Sequence, residues 1–306
     1  MASSLQEMAG LPGHGLRKRS QRNDKLNHSL SAKDMLHMAF SRQWFSLTCL
    51  MVWAHLAVAH AVMAQDMMRN LDLASPAFTE AELSRSEVVA LLEKASAEKP
   101  LDLTGKSLNG IDLSGLDLAG VIFRSARLNK ANLAGANLEN AVLDQAWMLS
   151  ADLSGANLRG ASLFQTQLGM ANLDGADMTG ARIAADMTRA SLKGAVLREA
   201  DFSADMRNQS MGLMRGVLRS ANLDGADLTK ANLARADLEF ASLRGATLEG
   251  ANLAGAEAGG ADFTDADIGG ASFERTDLDS ARLGNLTGET AASFDGALNL
   301  KTAIRK

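Results

Sequence analysis

The sequence contains no tyrosine, and its five histidines and single cysteine all lie in the first fifth of the chain. The last of these residues is His60, and Cys49 precedes it. The chain from residue 66 onward therefore lacks the side chains for nucleophilic catalysis by cysteine or histidine, for thiol redox chemistry and for Cys/His zinc sites. We expect a protein that is not an enzyme and that carries no cofactor and no metal.

Proline is also scarce, and none of the three prolines follows Pro100. Proline cannot donate a backbone hydrogen bond, so its absence is expected where most backbone N–H groups meet a partner in a sheet. The 46% hydrophobic content is sufficient for a packed core. We therefore expect the long proline-free segment to be folded and rich in backbone pairing.

Residues 1–64 have the three parts of an export signal. A polar, basic segment comes first, and an apolar run of about 21 residues, 44–64, follows it. This run ends in Val62-Met63-Ala64, which fits the small-x-small rule of a signal-peptidase site. We predict a protein that is exported to the periplasm or secreted.

Two points about this leader stay open. Segment 44–64 is long enough to cross a bilayer, so the alternative to cleavage after Ala64 is a membrane anchor whose body faces the periplasm. The leader is also long, and Met35 or Met38 are alternative starts. Without the leader the net charge would be −9, which argues against direct binding of nucleic acid or anionic lipid.

Residues 65–100 are predicted to form a linker and a capping helix. Thr79 with Glu82 and Ser84 with Glu87 each match a capping box, in which a hydroxyl and a carboxylate satisfy exposed backbone amides. The apolar stripe that follows at helical spacing consists of Val88, Leu91, Leu92 and Ala95. A short amphipathic helix must pack such a stripe against a neighbour, and the adjacent surface is the open end of the next domain.

From Leu101 onward the sequence repeats every five residues. Each repeat has a small residue, then Asp or Asn, then Leu or Phe, then two mostly polar or glycine positions, as in ANLAGANL over residues 131–138. The small and the large apolar positions are two apart, so both point to one face of an extended segment and the Asp or Asn between them points away. The last two positions turn the chain. Repetition of this unit predicts a polygonal coil with Leu and Ala inside, stacked on its neighbours like parallel strands.

This pattern closely resembles the pentapeptide repeat family over roughly residues 101–300. The resemblance implies an all-β fold, a right-handed quadrilateral parallel β-helix with four repeats to each coil of about twenty residues. The alternative of a helical bundle is disfavoured, because Asn and Asp so regularly placed oppose helix interiors.

Two departures interrupt the repeat. The repeat at Ile183 is one residue short, and residues 203–215 lose the pattern. We interpret 203–215 as an irregular loop between a first tower at 101–202 and a second tower with a C-terminal cap at 216–306.

The irregular loop is rich in methionine. Met206, Met211 and Met214 lie close together in the sequence and are a candidate interaction surface, since methionine adapts to irregular partners. The alternative is that they only fill gaps where the coils are out of register.

Two further candidates lie in the repeats. Trp147 replaces the usual Asp or Asn, so it should point outward and mark a contact site, or else lie against neighbouring side chains. Asp237, Glu257 and Asp277 lie twenty residues apart and should stack as an acidic column. Such a column could collect a cation, but the repeat itself requires Asp or Asn there, so a solvated acidic face is the simpler interpretation.

These observations favour an exported scaffold or protein-interaction module with an unidentified protein partner, and a homodimer is possible. The resemblance also implies an alternative, because some family members imitate B-form DNA and bind or inhibit type II topoisomerases such as gyrase. Arginines interrupt the acidic columns of this chain, and the leader would keep it from a cytoplasmic enzyme.

Overall fold

A computed structural model describes residues 79–96, 98–204 and 214–305. The predicted leader, the linker up to residue 78, Met206 and Met211 lie outside these residues and stay predictions. Within the described ranges no helix is long and apolar enough to cross a membrane. The predicted anchor at 44–64 is not part of them.

The pentapeptides form a parallel β-helix with four faces. Each outward-facing Asp or Asn position makes an isolated β-bridge to the equivalent position one coil later, so the coils stack in parallel and no longer strand is formed. The bridges align four columns, which we number as faces. Face 1 runs from Asp102 to Ser293, face 2 from Ser107 to Leu298, face 3 from Asp112 to Ile304 and face 4 from Asp117 to Thr287.

The interior is built from the two apolar positions of each repeat. The Leu or Phe position and the Ala position are almost completely buried in the coils between the two ends of the solenoid, as Leu133 and Ala136 illustrate. Alternation of a large and a small side chain fits a narrow interior, where two large ones per repeat would overfill it. In the first coil, larger residues take most of the small positions. They are Leu101, Ile111 and Leu116.

The Asp or Asn of the repeat stabilises the turn that follows it. Its side-chain oxygen accepts a hydrogen bond from the N–H two residues later, as between Asp102 Oδ1 and Thr104 N at 2.9 Å. Asparagine adds a bond to the coil before it, as from Asn132 Nδ2 to Asp112 Oδ1 at 3.0 Å. The polar position therefore closes turns and ties coils together.

A left-handed residue completes each regular turn. Every fifth residue has a positive φ, which glycine adopts without strain at Gly155 (φ 62°) but which Lys130 also adopts (φ 57°). The N–H that follows donates to the carbonyl oxygen three residues earlier, as from Ala136 N to Leu133 O at 3.0 Å.

Helix α1, Arg85–Leu92, covers the first coil. Ser84 caps it in the predicted capping box with Glu87, and Val88 is buried against the solenoid core. The sequence pattern paired Glu82 with Thr79 in a second capping box. In the structure the Glu82 carboxylate accepts hydrogen bonds from Lys106 and from the N–H of Ser107. The segment before α1 is thus tied to face 2 of the first coil.

The solenoid continues through the irregular loop. Asp186 pairs with Val217 and Asp201 pairs with Asn232, so the coil after the loop lies directly on the coil before it. The segments interpreted as two towers form one ladder, because the loop leaves and re-enters at a single corner. Residues 286–306 drift out of the five-residue register, yet Ser293, Leu298 and Ile304 still pair with the coil before them. A 3-10 helix, Glu289–Ala291, interrupts this last coil.

The alternation of large and small interior positions makes a prediction about stability. Ala226→Leu should lower the free energy of unfolding by about 1–3 kcal/mol, because Ala226 is completely buried in a filled interior. Ala234→Leu is the matched control, since Ala234 lies at a half-buried turn position on the outside. Urea unfolding of both variants tests the prediction, and equal losses would contradict an interior packed in this way.

Candidate interaction surface

Both irregularities of the sequence lie at one corner of the solenoid, the corner between face 1 and face 2. The repeat at Ile183 lacks its left-handed turn residue, so only 19 residues separate Gln167 from its partner Asp186. In the next coil the same corner holds the irregular loop. The shortened turn and the insertion are therefore neighbours in space.

The loop leaves and returns through a narrow neck. Gly216 N donates to Phe202 O at 2.8 Å, which brings the two ends of the insertion together. A Cβ on residue 216 would lie 2.8 Å from the Cβ of Phe202, a side chain that is fully buried. Glycine is thus required here by close approach, and the loop begins and ends at a fixed point.

Arg215 holds the returning end of the loop against face 2. Its guanidinium donates two hydrogen bonds of 2.7 Å to the Glu257 carboxylate, and it lies 3.6 Å from Asp237. Asp237 is almost fully buried and also accepts a hydrogen bond of 2.9 Å from Arg219. A bidentate pair of this kind fixes geometry as well as charge.

This pairing changes the acidity of both groups. The hydrogen bond from Arg215 lowers the pKa of the Glu257 carboxyl, and partial burial opposes that effect. The same hydrogen bond raises the pKa of the Arg215 guanidinium. Both shifts favour the charged forms, so the ion pair is the stable state at neutral pH.

Trp147 lies on face 2 beside a cavity of about 410 Å³. Half of its surface is exposed. The floor of the cavity includes Ala184 and Ala185 of the shortened turn, and Met214 from the end of the loop also lines it. We call this feature the Trp147 cavity.

A row of amides runs along the wall of the Trp147 cavity. Gln145 Nε2 donates to Gln165 Oε1 at 3.2 Å, and Gln165 Nε2 donates to the Met214 sulfur at 3.2 Å. The amides thereby connect the regular coils to the loop. Met214 is thus in contact with the solenoid rather than projecting from it.

The interaction residues predicted from the sequence that the structure describes lie on face 2 or beside it. Trp147, Asp237, Glu257 and Asp277 all lie in the face 2 column, and Met214 lies beside it. The expected stacking of the three carboxylates is present, but Arg215 and Arg219 neutralise its first two members. In the ranges that the structure covers, no group of acidic, histidine or cysteine side chains could hold a metal ion.

Sequence reasoning missed the residues that hold the site together. Arg215 lies in the stretch without a pattern, so no register assigned it to a face. Its position directly before Gly216, where the repeat resumes, is the only signal in the sequence. The glutamines were also missed, because each one by itself is an ordinary polar residue of a turn or face.

Comparison with known proteins agrees with this architecture. The model of the pentapeptide repeats family matches the chain in eight copies, over residues 107–146, 150–180, 217–250 and 248–285. HetL, a pentapeptide repeat protein involved in heterocyst differentiation regulation from the cyanobacterium Nostoc sp. strain PCC 7120, is 30% identical, with a TM-score of 0.47. The match covers 73% of this chain and 98% of HetL.

This chain belongs to the pentapeptide repeat family. Its fold is the right-handed quadrilateral β-helix of that family, as the sequence predicted. A thylakoid-lumen pentapeptide repeat protein of Arabidopsis thaliana is 33% identical over 36% of this chain and 71% of its own, with a TM-score of 0.22.

More distant pentapeptide repeat proteins also match. QnrB1, a plasmid-mediated fluoroquinolone resistance protein, is 18% identical over 65% of this chain and 91% of its own, with a TM-score of 0.31. No curated protein matches the chain. The family membership thus defines the fold of this pentapeptide repeat protein, and its face 2 has to be understood from its own residues.

The Arg215 pair makes a prediction that depends on pH. Arg215→Ala should lower the free energy of unfolding by about 2 kcal/mol at pH 7, because it leaves the half-buried Glu257 carboxylate without its hydrogen-bond donor and removes one of the two guanidiniums beside the buried Asp237. The pKa of Glu257 is depressed in the folded state, so this stabilisation is present above the ordinary glutamate pKa and is lost as the pH falls through the folded value. The difference between wild type and variant, measured by urea unfolding, should therefore shrink at pH 3.

A matched control is Arg159→Ala on face 4, which removes an ion pair between half-exposed Arg159 and Asp177. Such a pair contributes about 0.5 kcal/mol or less. A loss for Arg215→Ala that equals the control, or that is the same at both pH values, would show that Arg215 does not hold the loop.

Proposed function

We propose that this pentapeptide repeat protein is an exported, non-enzymatic interaction protein that binds a partner protein through face 2 around Trp147. The observation that carries the proposal is the half-exposed indole of Trp147 beside a loop end that Arg215 fixes in place. An exposed tryptophan in a rigid frame supplies a large contact area at little cost in side-chain entropy.

The solenoid is suited to this role because its surface is preorganised. Backbone groups on face 2 bond to the coils on both sides, as Trp147 N does to Ala126 O at 2.9 Å. Side chains therefore stand at fixed spacings of about 4.8 Å along the face. Little conformational entropy remains to be lost when a partner binds.

Export is supported by the organisation of residues 1–64. The apolar run and its small-x-small end suit a signal segment, and every histidine and the cysteine lie before residue 61. The solenoid that follows carries neither thiols nor imidazoles. We place the mature protein in the periplasm or outside the cell, with the membrane-anchored form as the alternative.

The surface charges argue against the alternative function, in which the protein imitates DNA and binds a type II topoisomerase. A protein that imitates DNA needs continuous rows of unpaired negative charge. On face 2, Asp237 and Glu257 are paired with arginines, and on face 4, Asp177 and Asp227 are paired with Arg159 and Arg198. We therefore do not propose DNA imitation as the function.

Export can be tested with a reporter fusion. Residues 1–70 fused to alkaline phosphatase, which is active only outside the cytoplasm, should give active enzyme. A fusion of the same segment with Val52 and Leu56 changed to Asp should be inactive, because charges interrupt the apolar run. An inactive wild-type fusion would contradict export and would reopen the cytoplasmic alternative.

Contact through face 2 can be tested with a photocrosslinker. A photoreactive phenylalanine in place of Trp147 in the full chain should give a discrete protein adduct in cells. The same group in place of Phe240 is the control, because Phe240 is also exposed (63%) but lies at a corner away from the Trp147 cavity. An adduct with a second copy of this chain would identify the partner as itself. The same adducts from both positions, or none from Trp147, would contradict the proposal.

A further inference from the structure

We infer that the Trp147 cavity is a binding site for a neutral oligosaccharide. This inference goes beyond the proposed contact with a protein, and it names the chemistry that the cavity itself would recognise. The cavity extends over four successive coils, from Gln145 and Trp147 to Arg215 and Val217. Its volume of about 410 Å³ lies in the range of sites that hold small organic ligands.

Polar groups around the indole have unused hydrogen-bonding capacity. Within the described residues, the Trp147 indole N–H has no acceptor, and the side-chain oxygen of Gln167 has no donor. Asp186 accepts two hydrogen bonds from Thr188 on Oδ1 alone, at 2.9 and 2.6 Å, which leaves Oδ2 free. One donor and two acceptors thus surround the same concave surface.

The charges of the cavity favour a neutral ligand. Its lining contains one carboxylate, Asp186, and one guanidinium, Arg215. Arg215 is already committed to Glu257 and Asp237, so it is not available to bind an anion. Asp186 would repel an anion, and one half-buried carboxylate by itself gives little preference for a cation.

The backbone excludes the usual way in which a sheet binds a peptide. Peptides add as a strand to an edge that has free N–H and C=O groups. On face 2, Trp147 N donates to Ala126 O at 2.9 Å and Trp147 O accepts from Leu128 N at 2.6 Å. A ligand on this face is therefore held by side chains alone.

The side chains that remain match a sugar. The flat indole offers an apolar surface for the C–H face of a pyranose ring, and amides and a carboxylate bond to its hydroxyl groups. Gln165 and Gln167 follow Trp147 one coil later, about 4.8 Å along the face. Successive coils could thus contact successive units of an extended chain.

Calorimetric titration of the full-length protein with cellotetraose, chitotetraose and maltotetraose, each added separately, tests the inference. At least one of them should bind with Kd below about 1 mM. Trp147→Ala and Gln167→Ala should each weaken that binding at least tenfold. Phe240→Ala removes another exposed aromatic ring outside the cavity and should leave the affinity unchanged. Matching circular dichroism spectra of the four proteins show that the solenoid is intact.

Three results would overturn the inference. They are the absence of binding with Kd below about 1 mM for all three sugars, failure of Trp147→Ala and Gln167→Ala to weaken the binding, and equal weakening by Phe240→Ala. A protein adduct at Trp147 without sugar binding would leave the proposed function standing and remove only this inference. Sugar binding without a protein adduct would leave this inference standing and contradict the proposed function.

Discussion

The hydrogen bonds between successive coils are the interaction on which the rest of the structure depends. The backbone N–H of an outward-facing residue donates to the coil before it, as Asn132 N does to Ile111 O at 2.8 Å. The N–H of the next residue donates to the coil after it, as Leu133 N does to Asp152 O at 2.6 Å. These bonds hold each coil in register, and register puts every fifth side chain in the same environment. Buried leucine and alanine columns, polar outer columns and the absence of proline all follow from that constraint.

The same constraint explains why the distinctive surface lies where it does. Regular coils present flat ladders, and the Trp147 cavity lies where one turn is shortened and the next is extended. In this chain a turn that lacks one residue at Ala184 and the loop after Phe202 share one corner, and together they form the Trp147 cavity. Arg215 then fixes the loop end through Glu257. A rigid prism with one irregular corner is a suitable frame for recognition by contact.

Most of the fold could be predicted from the sequence, because a five-residue period over two hundred residues permits few geometries. The outward position of Trp147 and the stacking of Asp237 on Glu257 followed from the same register. The arrangement of the site could not be predicted in this way. Residues 203–215 have no period, so the position of Arg215 depends on where the chain re-enters the coil. The role of the repeat's Asp or Asn in closing turns also required side-chain geometry.

A disulfide test across the loop examines the continuous ladder most directly. Val196 and Asp227 are 31 residues apart in sequence but paired on face 4, so cysteines at both positions, with Cys49 changed to Ser, should cross-link under mild oxidation. Cysteines at Val196 and Thr247 lie two coils apart, about 10 Å, and should not. If 196 and 227 fail to cross-link while the regular pair at 227 and 247 does, the loop separates two independent solenoids and the account is wrong.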